Sequence, residues 1–521
     1  MESYVPALYG TAASIIPPLV AIVLALILKE AIFSLFCGIV VGALLYAGGN
    51  PGIAFQTMLF SEEGGVVASL TDTSHICIII FVVLLWVVVG ALNKSGSANA
   101  FGIWAEKHIK TRVGAQIATF IMGLLIFVDD GFNSVTVGSV MRPITDRYRV
   151  SRAKLAYLLD STAAPICVIA PVSCWAAAVS YSVPAEYEIN GFDMFIRAIP
   201  YNLYALGTLV MIIFVVTRKL DYGPMRRHEI NAIGGDLFTS GNPPYNEYGE
   251  DGDKKKDAKI SNLLLPIIVL IVSCVGGMLY TGGFFEGASV RDALANADSA
   301  AGLAMGGMIA VFFTLIFYLL RKALSFKDFM SCIPGAIRSI AEPLLILVLA
   351  WTLSGITGLL GTGTFVHDAV NSVASGLQMF LPVIIFVISV LLAFSTGTSW
   401  GTFTILIPIV CAVFRGWDQM LVISISACLS GAVCGDHCSP ISDTTILSSA
   451  GAQSDHINHT TTQLPYAITV AAVSAVGYLL MGILGYTCNS AAALIATPVT
   501  LVLLVLVLIF IRKKTGPTPG A

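Results

Sequence analysis

Charge is what this sequence has least of. Of its 521 residues only 11% are Asp, Glu, Lys or Arg, against about 25% in an average soluble domain. With 56% hydrophobic residues and a mean hydropathy of +0.85, the chain has too few charges to keep such a core in water. A soluble domain is also lacking. The longest hydrophilic stretch is 218–260, with eight Lys/Arg and eight Asp/Glu. Its segment GNPPYNEYGEDGDKKKDAK has no apolar period and reads as a flexible linker. No cysteine spacing suggests a disulfide framework. Most of the 11 Cys, such as Cys37, Cys77, Cys167, Cys274 and Cys428, lie inside apolar segments and read as small buried hydrophobes. The N-terminal MESYVPALYG has no basic region before the first apolar run, so no cleaved signal peptide is expected. No basic or aromatic patch points to nucleic acid, and no cofactor motif is present. Function is expected inside the membrane.

What is there is apolar length. Runs fall near 11–28, 31–47, 75–93, 155–175, 196–217, 261–281, 299–320, 337–357, 418–434, 464–486 and 491–511. About 20 apolar residues cross a bilayer as a helix, so eleven crossings are expected. Two more stretches, 113–142 and 380–414, are too long for one ordinary helix and too short for two plus a turn. Charge decides between the arrangements, because Lys and Arg favour cytoplasmic loops. If both stretches enter and leave on one side, 25 of the 28 Lys/Arg share a face, and only Arg197, Arg291 and Arg415 oppose them. Two re-entrant hairpins are therefore expected, the first opening to the cytoplasm and the second to the outside. The N-terminus is then outside and the C-terminus cytoplasmic, in a multi-pass plasma or inner membrane protein.

The chain also repeats itself. At an offset of 265, Trp86 matches Trp351, Gly90 Gly355, Gly96 Gly361, Ser134 Ser399 and Pro143 Pro408. Each hairpin is followed by a helix broken at Pro, LLDSTAAPICVIAPVS (158–173) and LSGAVCGDHCSPISDTT (429–445). Five crossings per half invert the second copy. The fold class is thus an all-α polytopic membrane protein with two inverted-topology repeats. The repeats span 1–217 and 261–486, joined by the 218–260 linker and followed by an extra helix and tail over 487–521. Paired broken segments in such folds point to a binding site near the midplane.

Four segments supply the chemistry: 129–136, 158–173, 396–404 and 434–445. Non-helical backbone at this depth must be buried in protein or line a cavity. Gly131, Gly397 and Gly401 allow the turns, while Asn133, Ser134, Thr396, Thr398 and Ser399 supply oxygens. The carboxylates are Asp129, Asp130, Asp160, Asp436 and Asp443. Charge at bilayer depth is costly and marks a functional candidate. Capping is the competing role. Ser439 before Pro440 looks like a helix start with Asp443 in its first turn, and Asp160 has Arg152 and Lys154 nearby to pair with. His437 suits a proton carrier, or a group holding Asp436 or a backbone carbonyl. Cys434, His437 and Cys438 match neither zinc nor haem spacing. His456 and His459 read as solvated in a cytoplasmic loop. Hard oxygens suit Na⁺, with Asp129, Asp436 and Asp443 the candidate ligands, and a proton competes for the same carboxylates.

Two segments, GDHCSPISDTTILSSAGAQSDHINHTTTQLPYA (435–467) and FVDDGFNSVTVGSVMRPITDR (127–147), resemble the NhaC family of Na⁺/H⁺ antiporters, in the ion-transporter superfamily. The resemblance implies a homodimer in which a mobile transport domain moves elevator-fashion against a scaffold. It also implies Asp129, Asp130, Asp436, His437, Asp443 and Thr444 as site residues. The same family includes exchangers that couple Na⁺ and H⁺ to organic acids such as malate and lactate, and amino-acid exchange is a further option. An intramembrane aspartyl protease would need paired carboxylates, but it leaves the repeats and hairpins without a purpose. A channel would not need hairpins from both faces. A transporter rather than an enzyme is expected.

Overall fold

The apolar runs become helices close to where the sequence places them. The computed structural model describes residues 8–518 except 29, 63, 97–107, 185–186, 188–189, 240–259, 291–292, 294–296, 363, 366–367, 369–377, 415, 441 and 489. The described chain is all-helical. It opens with α1 (Ile16–Leu28), α2 (Ala31–Tyr46), α3 (Pro51–Phe60), α4 (Val66–Thr71) and α5 (Thr73–Lys94). Next come α6 (Arg112–Leu125), α7 (Asp130–Arg147), α8 (Arg152–Thr162), α9 (Ala164–Cys167), α10 (Cys174–Ser180), α11 (Gly191–Ala198), α12 (Leu203–Arg218) and α13 (Pro224–Ile233). A second series follows with α14 (Ile260–Thr281), α15 (Ser299–Leu320), α16 (Phe326–Met330) and α17 (Cys332–Leu359). The chain ends with α18 (Leu381–Thr396), α19 (Ser399–Val413), α20 (Asp418–Cys438), α21 (Asp443–Ala452), α22 (His456–Thr487) and α23 (Ser490–Thr515).

Among the described residues, 7 helices are long and apolar enough to cross a membrane, or up to 8 with the pair α11–α12, which bends by 43°. The sequence suggests eleven. The shortfall lies in short helices such as α1 and α2 and in the 155–175 run, which is broken into α8, α9 and α10, while one of the seven, Gln378–Thr396, is the first arm of the stretch expected to be the second hairpin. Helix α13 lies within the stretch read as linker. It is packed, with Met225, His228, Glu229 and Ala232 buried, and the polar segment 241–259 lies outside the described residues.

Packing sorts the helices into two bodies. In the apolar body, α14 lies against α15, α15 against α5, and α17 against α2 and α5. Gly277 and Gly302 let α14 and α15 touch backbone to backbone, and a Cβ on Gly277 would sit 2.2 Å from the Gly302 carbonyl oxygen. Such small-residue contacts replace hydrophobic driving force between helices in lipid. The other body, called charged below, contains α6–α13 and α18–α23. Its centre is α20, buried along almost its whole length. The bodies meet chiefly where α1 touches α18, α17 touches α19, and α5 touches α10.

Inside the charged body two pairs of helices run parallel, each pair joined through a third helix. Ser389 Oγ donates to the Cys428 carbonyl (2.7 Å) and Ser439 Oγ to the Phe394 carbonyl (2.8 Å). Helices α18 and α20 therefore run parallel, with α19 returning the chain between them. Gly431 and Gly435, four residues apart, admit the α18 backbone, and a Cβ on Gly435 would lie 2.2 Å from the Val390 carbonyl oxygen. Likewise α6 and α8 run parallel. Glu229 pairs with Arg112 at the start of α6 and accepts from the Ser151 amide (2.9 Å) at the start of α8. At their far ends Gly123 meets Thr162. The ends of α5 and α17 also match. Each is followed two residues on by a left-handed glycine, Gly96 (φ 67°) and Gly361 (φ 70°), at the offset of 265 seen in the sequence.

Candidate ion-binding site

The four breaks come together. The α6–α7 break (126–129) meets the α9–α10 break where the Cys174 amide donates to the Val128 carbonyl (3.2 Å) and Cys167 Sγ to the Phe127 carbonyl (3.1 Å). The α18–α19 break turns at left-handed Gly397 (φ 68°), whereas Gly131 and Gly401 lie inside helices and make no turn. It meets the α20–α21 break through Ser439. Helix α21 then crosses to the other half, where Ser448 Oγ donates to Ser134 Oγ (3.0 Å) and Thr445 Oγ1 to Asp160 Oδ2 (3.0 Å).

Two buried carboxylates flank the first turn of α21. Asp436 Oδ2 accepts from Ser399 Oγ (2.7 Å) and Thr444 Oγ1 (3.3 Å). Asp160 Oδ2, one residue further along that turn, accepts from Thr445 and from Gln463 Nε2 (2.8 Å). The donors named here, all among the described residues, are neutral. Arg152 and Lys154, the cations nearest Asp160 in sequence, are committed elsewhere. Arg152 pairs with Asp146 (2.8 Å) and Lys154 with Asp221 (2.6 Å), so neither neutralises Asp160. Among the described residues its ion-pair neighbours are His437 (3.9 Å) and His459 (3.8 Å).

His437 thus stands against Asp160 more than Asp436. Its ring nitrogens meet Tyr204 Oη (2.7 Å) and Ser161 Oγ (3.2 Å), while its carbonyl accepts from Gln463 (2.6 Å). A third group lies at the first break, where ligand atoms of Asp129, Asp130 and Cys174 fall within 4.8 Å of one another. Trp175 Nε1 donates to Asp130 (3.0 Å). The two carboxylates suit a hard cation, and the thiol is too soft a donor to add to Na⁺ binding.

Several expected site residues serve the backbone, although Asn133 Oδ1 itself has no hydrogen-bond partner among the described residues. Asn133 Nδ2 donates to the carbonyls of Gly123 (2.8 Å), Ile126 (2.9 Å) and Thr162 (3.0 Å), which the break would leave bare. Thr396 Oγ1 turns back onto the Leu392 carbonyl (2.8 Å). Thr398 caps α19 by accepting from the Gly401 amide (3.3 Å). The α21 start differs from the helix start expected at Ser439. Ser442 is the cap, accepting from the Thr445 amide (3.3 Å), and Pro440 lies in the turn before it. Asp443 is the first residue of α21. Its side chain lies outside the described residues.

His459 and Gln463 correct the sequence reading most. Expected in a solvated loop, His459 is fully buried on α22, as is Gln463. Residues 456, 459 and 463 recur at i, i+3 and i+7, one face of a helix capped by Asp455, and this period is the signal that hydropathy hides. No local pattern marks Tyr204 or Ser161 as the partners of His437.

A polar cavity of about 490 Å³ opens between the bodies beside the first residues of α5. Asp72, His75 and Trp351 line it from the apolar body, and Tyr181, Asn190 and Thr404 from the charged body. Thr404 lies on α19, the helix that begins at Ser399.

The Na⁺/H⁺ antiporter family model matches residues 175–483. A Haemophilus influenzae protein described as uncharacterized is 39% identical over 513 residues, covering 96% of this chain and 95% of that protein. The malate-2H⁺/Na⁺-lactate antiporter of Bacillus subtilis is 29% identical over 167 residues, 31% of this chain and 34% of its own. The crystal structure of the YdaH transporter of Alcanivorax borkumensis aligns with a TM-score of 0.48 at 11% identity, covering 83% of this chain and 89% of that one. The chain is a multi-pass membrane transporter and not an enzyme, and it belongs to the Na⁺/H⁺ antiporter family.

Proposed function

We propose that this transporter exchanges Na⁺ for H⁺ at the carboxylates of Asp160 and Asp436 by alternating access. One observation carries the reading. Asp160 is buried at a junction of broken helices, held by Thr445 and Gln463, while Arg152 and Lys154 pair with other acids. A carboxylate so placed is neutralised by a proton or by a bound cation. A site that crosses the membrane only when occupied by one or the other exchanges them. The hydroxyls of Ser399, Thr444 and Thr445 and the carboxylates are hard donors suited to Na⁺. The Asp129–Asp130 pair is a second place for the ion, and Asp443 completes the set as an acid on the same turn as Thr444.

The division into bodies supports an elevator. The charged body holds the site and meets the apolar body along few helices, so it is the part that moves. In this reading α6–α7 and α18–α19 are the re-entrant hairpins of two inverted repeats. The polar cavity is the outer vestibule, and the basic face is cytoplasmic. The apolar body is the scaffold on which two copies pair.

Coupled organic-acid exchange is the second reading. It is favoured by the similarity to a malate-2H⁺/Na⁺-lactate antiporter over 167 residues. Purified protein in liposomes separates the two. A Na⁺ gradient alone should drive proton flux, and flux only with malate, lactate or an amino acid present would replace the first reading with the second.

A further inference from the structure

Asp160 is buried, so a proton needs a route to it. The side chains of α22 and α21 form one. His456, at the first turn of α22, is half-buried. Its Nδ1 lies 3.0 Å from Ser449 Oγ, and Ser449 Oγ lies 2.8 Å from His459 Nδ1. His459 is fully buried, and its Nε2 has no hydrogen-bond partner among the described residues. That nitrogen stands 3.8 Å from Asp160 Oδ2. A buried ring nitrogen facing a carboxylate without closing a bond to it is destabilising, and packing alone gives no reason to keep it.

Resting on the exchange reading above, we propose that His456, Ser449 and His459 are a proton relay between the face where α22 begins and Asp160. A proton loaded on His456 makes it imidazolium, with Nε2 facing the Pro440 carbonyl (2.5 Å). Nδ1–H passes its proton to Ser449 Oγ. The Ser449 hydroxyl, which rests on the Thr445 carbonyl (2.8 Å), turns and gives its own proton to His459 Nδ1. His459 then releases the proton on Nε2 to Asp160 Oδ2. The N–H bond breaks, the O–H bond forms, and both histidines return to neutral. The carboxylate loses its charge, and with it its hold on Na⁺. Among the described residues the other ion-pair neighbour of Asp160 is His437 on α20 (3.9 Å), whose ring is tied to Tyr204 and Ser161, with Asp130 and Tyr204 further titratable groups on the other sides of Asp160. His437 is therefore a bystander to this transfer. Asp455, which caps α22, is the acid beside the mouth of the relay.

The relay sets how fast protons arrive, not how many bind. The test is proton release from the purified full chain in detergent, followed with a pH indicator after Na⁺ is mixed in. His459→Ala and Ser449→Ala should release the same number of protons as wild type, at least about tenfold more slowly. Free imidazole should restore the rate of His459→Ala. In liposomes both variants should keep Na⁺–Na⁺ exchange, which needs no proton, while Na⁺–H⁺ exchange slows. Unchanged release rates would overturn the relay, and so would an equal fall in both exchange modes. If wild type releases no protons with Na⁺, the exchange reading itself fails. The relay is then read from organic-acid-driven proton flux, and falls if the variants leave that flux unchanged.

Discussion

The charged body buries Asp129, Arg152, Lys154, Asp160, Asp221, His228, Glu229, Asp436, His437 and His459. In the apolar body the buried polar groups among the described residues are hydroxyls and Asn262. Some of those hydroxyls bond locally, as when Thr314 and Thr352 donate to carbonyls four residues back on their own helices (2.7 and 2.8 Å), and others tie segments together, as when Thr362 donates to the Ser14 carbonyl (2.8 Å). The contrast separates two ways of living in a bilayer. The apolar body needs only close packing of small residues. The charged body carries groups that each cost several kcal/mol in lipid, and it keeps them by pairing, by hydrogen bonding, or for ions that come and go. Lys154 with Asp221 is the pairing case. Tyr466 and Thr518 also donate to Asp221, at 3.2 and 2.8 Å. Asp160 and Asp436, held by hydroxyls and an amide, are the exchange case in the function proposed above.

The sharpest way to break this contrast is to neutralise the exchange case. Asp160→Asn and Asp436→Asn should each abolish Na⁺-driven proton flux in liposomes, while Thr314→Val and Thr352→Val keep it. Comparable flux in all four would erase the functional difference between the bodies. Next in size is the pairing case. Lys154→Met strands Asp221 and should cost about 3–5 kcal/mol in unfolding measured in detergent. Adding Asp221→Leu should recover much of that, and no recovery would show that the two do not act as a pair. In the apolar body, Gly306→Val forces a side chain to within 2.4 Å of the Cys274 backbone. It should cost about 1–3 kcal/mol while the folded fraction keeps wild-type Na⁺ affinity. Altered affinity would mean that the apolar body shapes the site. The smallest effect lies within the charged body itself. Thr396→Val should change stability by no more than about 0.5 kcal/mol and leave transport intact, whereas Ser399→Ala removes a donor from Asp436 and should weaken Na⁺ binding.

Most of the helices are legible in the sequence because hydropathy is a one-dimensional signal, and lipid enforces it along the chain. The breaks are legible too, since Gly, Pro and Asp inside an apolar run each weaken a membrane helix and persist only where the chain must leave it. That is why Asp436 and Asp160 stand out as candidates, whereas Thr444 comes only with the family resemblance. Partner choice is not legible. Lys154 is six residues from Asp160 yet pairs with Asp221, because α8 turns the two side chains toward different neighbours. Hydropathy misreads HINHTTTQ (456–463) as loop because polar residues facing a protein interior look the same as polar residues facing water. Thr396 and Thr398 have the right chemistry for a cation, but the chain commits their hydroxyls to its own backbone groups, a demand that appears only once the breaks have a geometry.

Competition between Na⁺ and a proton at Asp160 is tested most directly by counting protons. Purified protein, weakly buffered in detergent, is mixed with Na⁺ and the released protons are measured against protein concentration. Wild type should release protons in step with Na⁺ binding, and Asp160→Asn should release none. No release from wild type, or the same release from Asp160→Asn, would contradict the assignment.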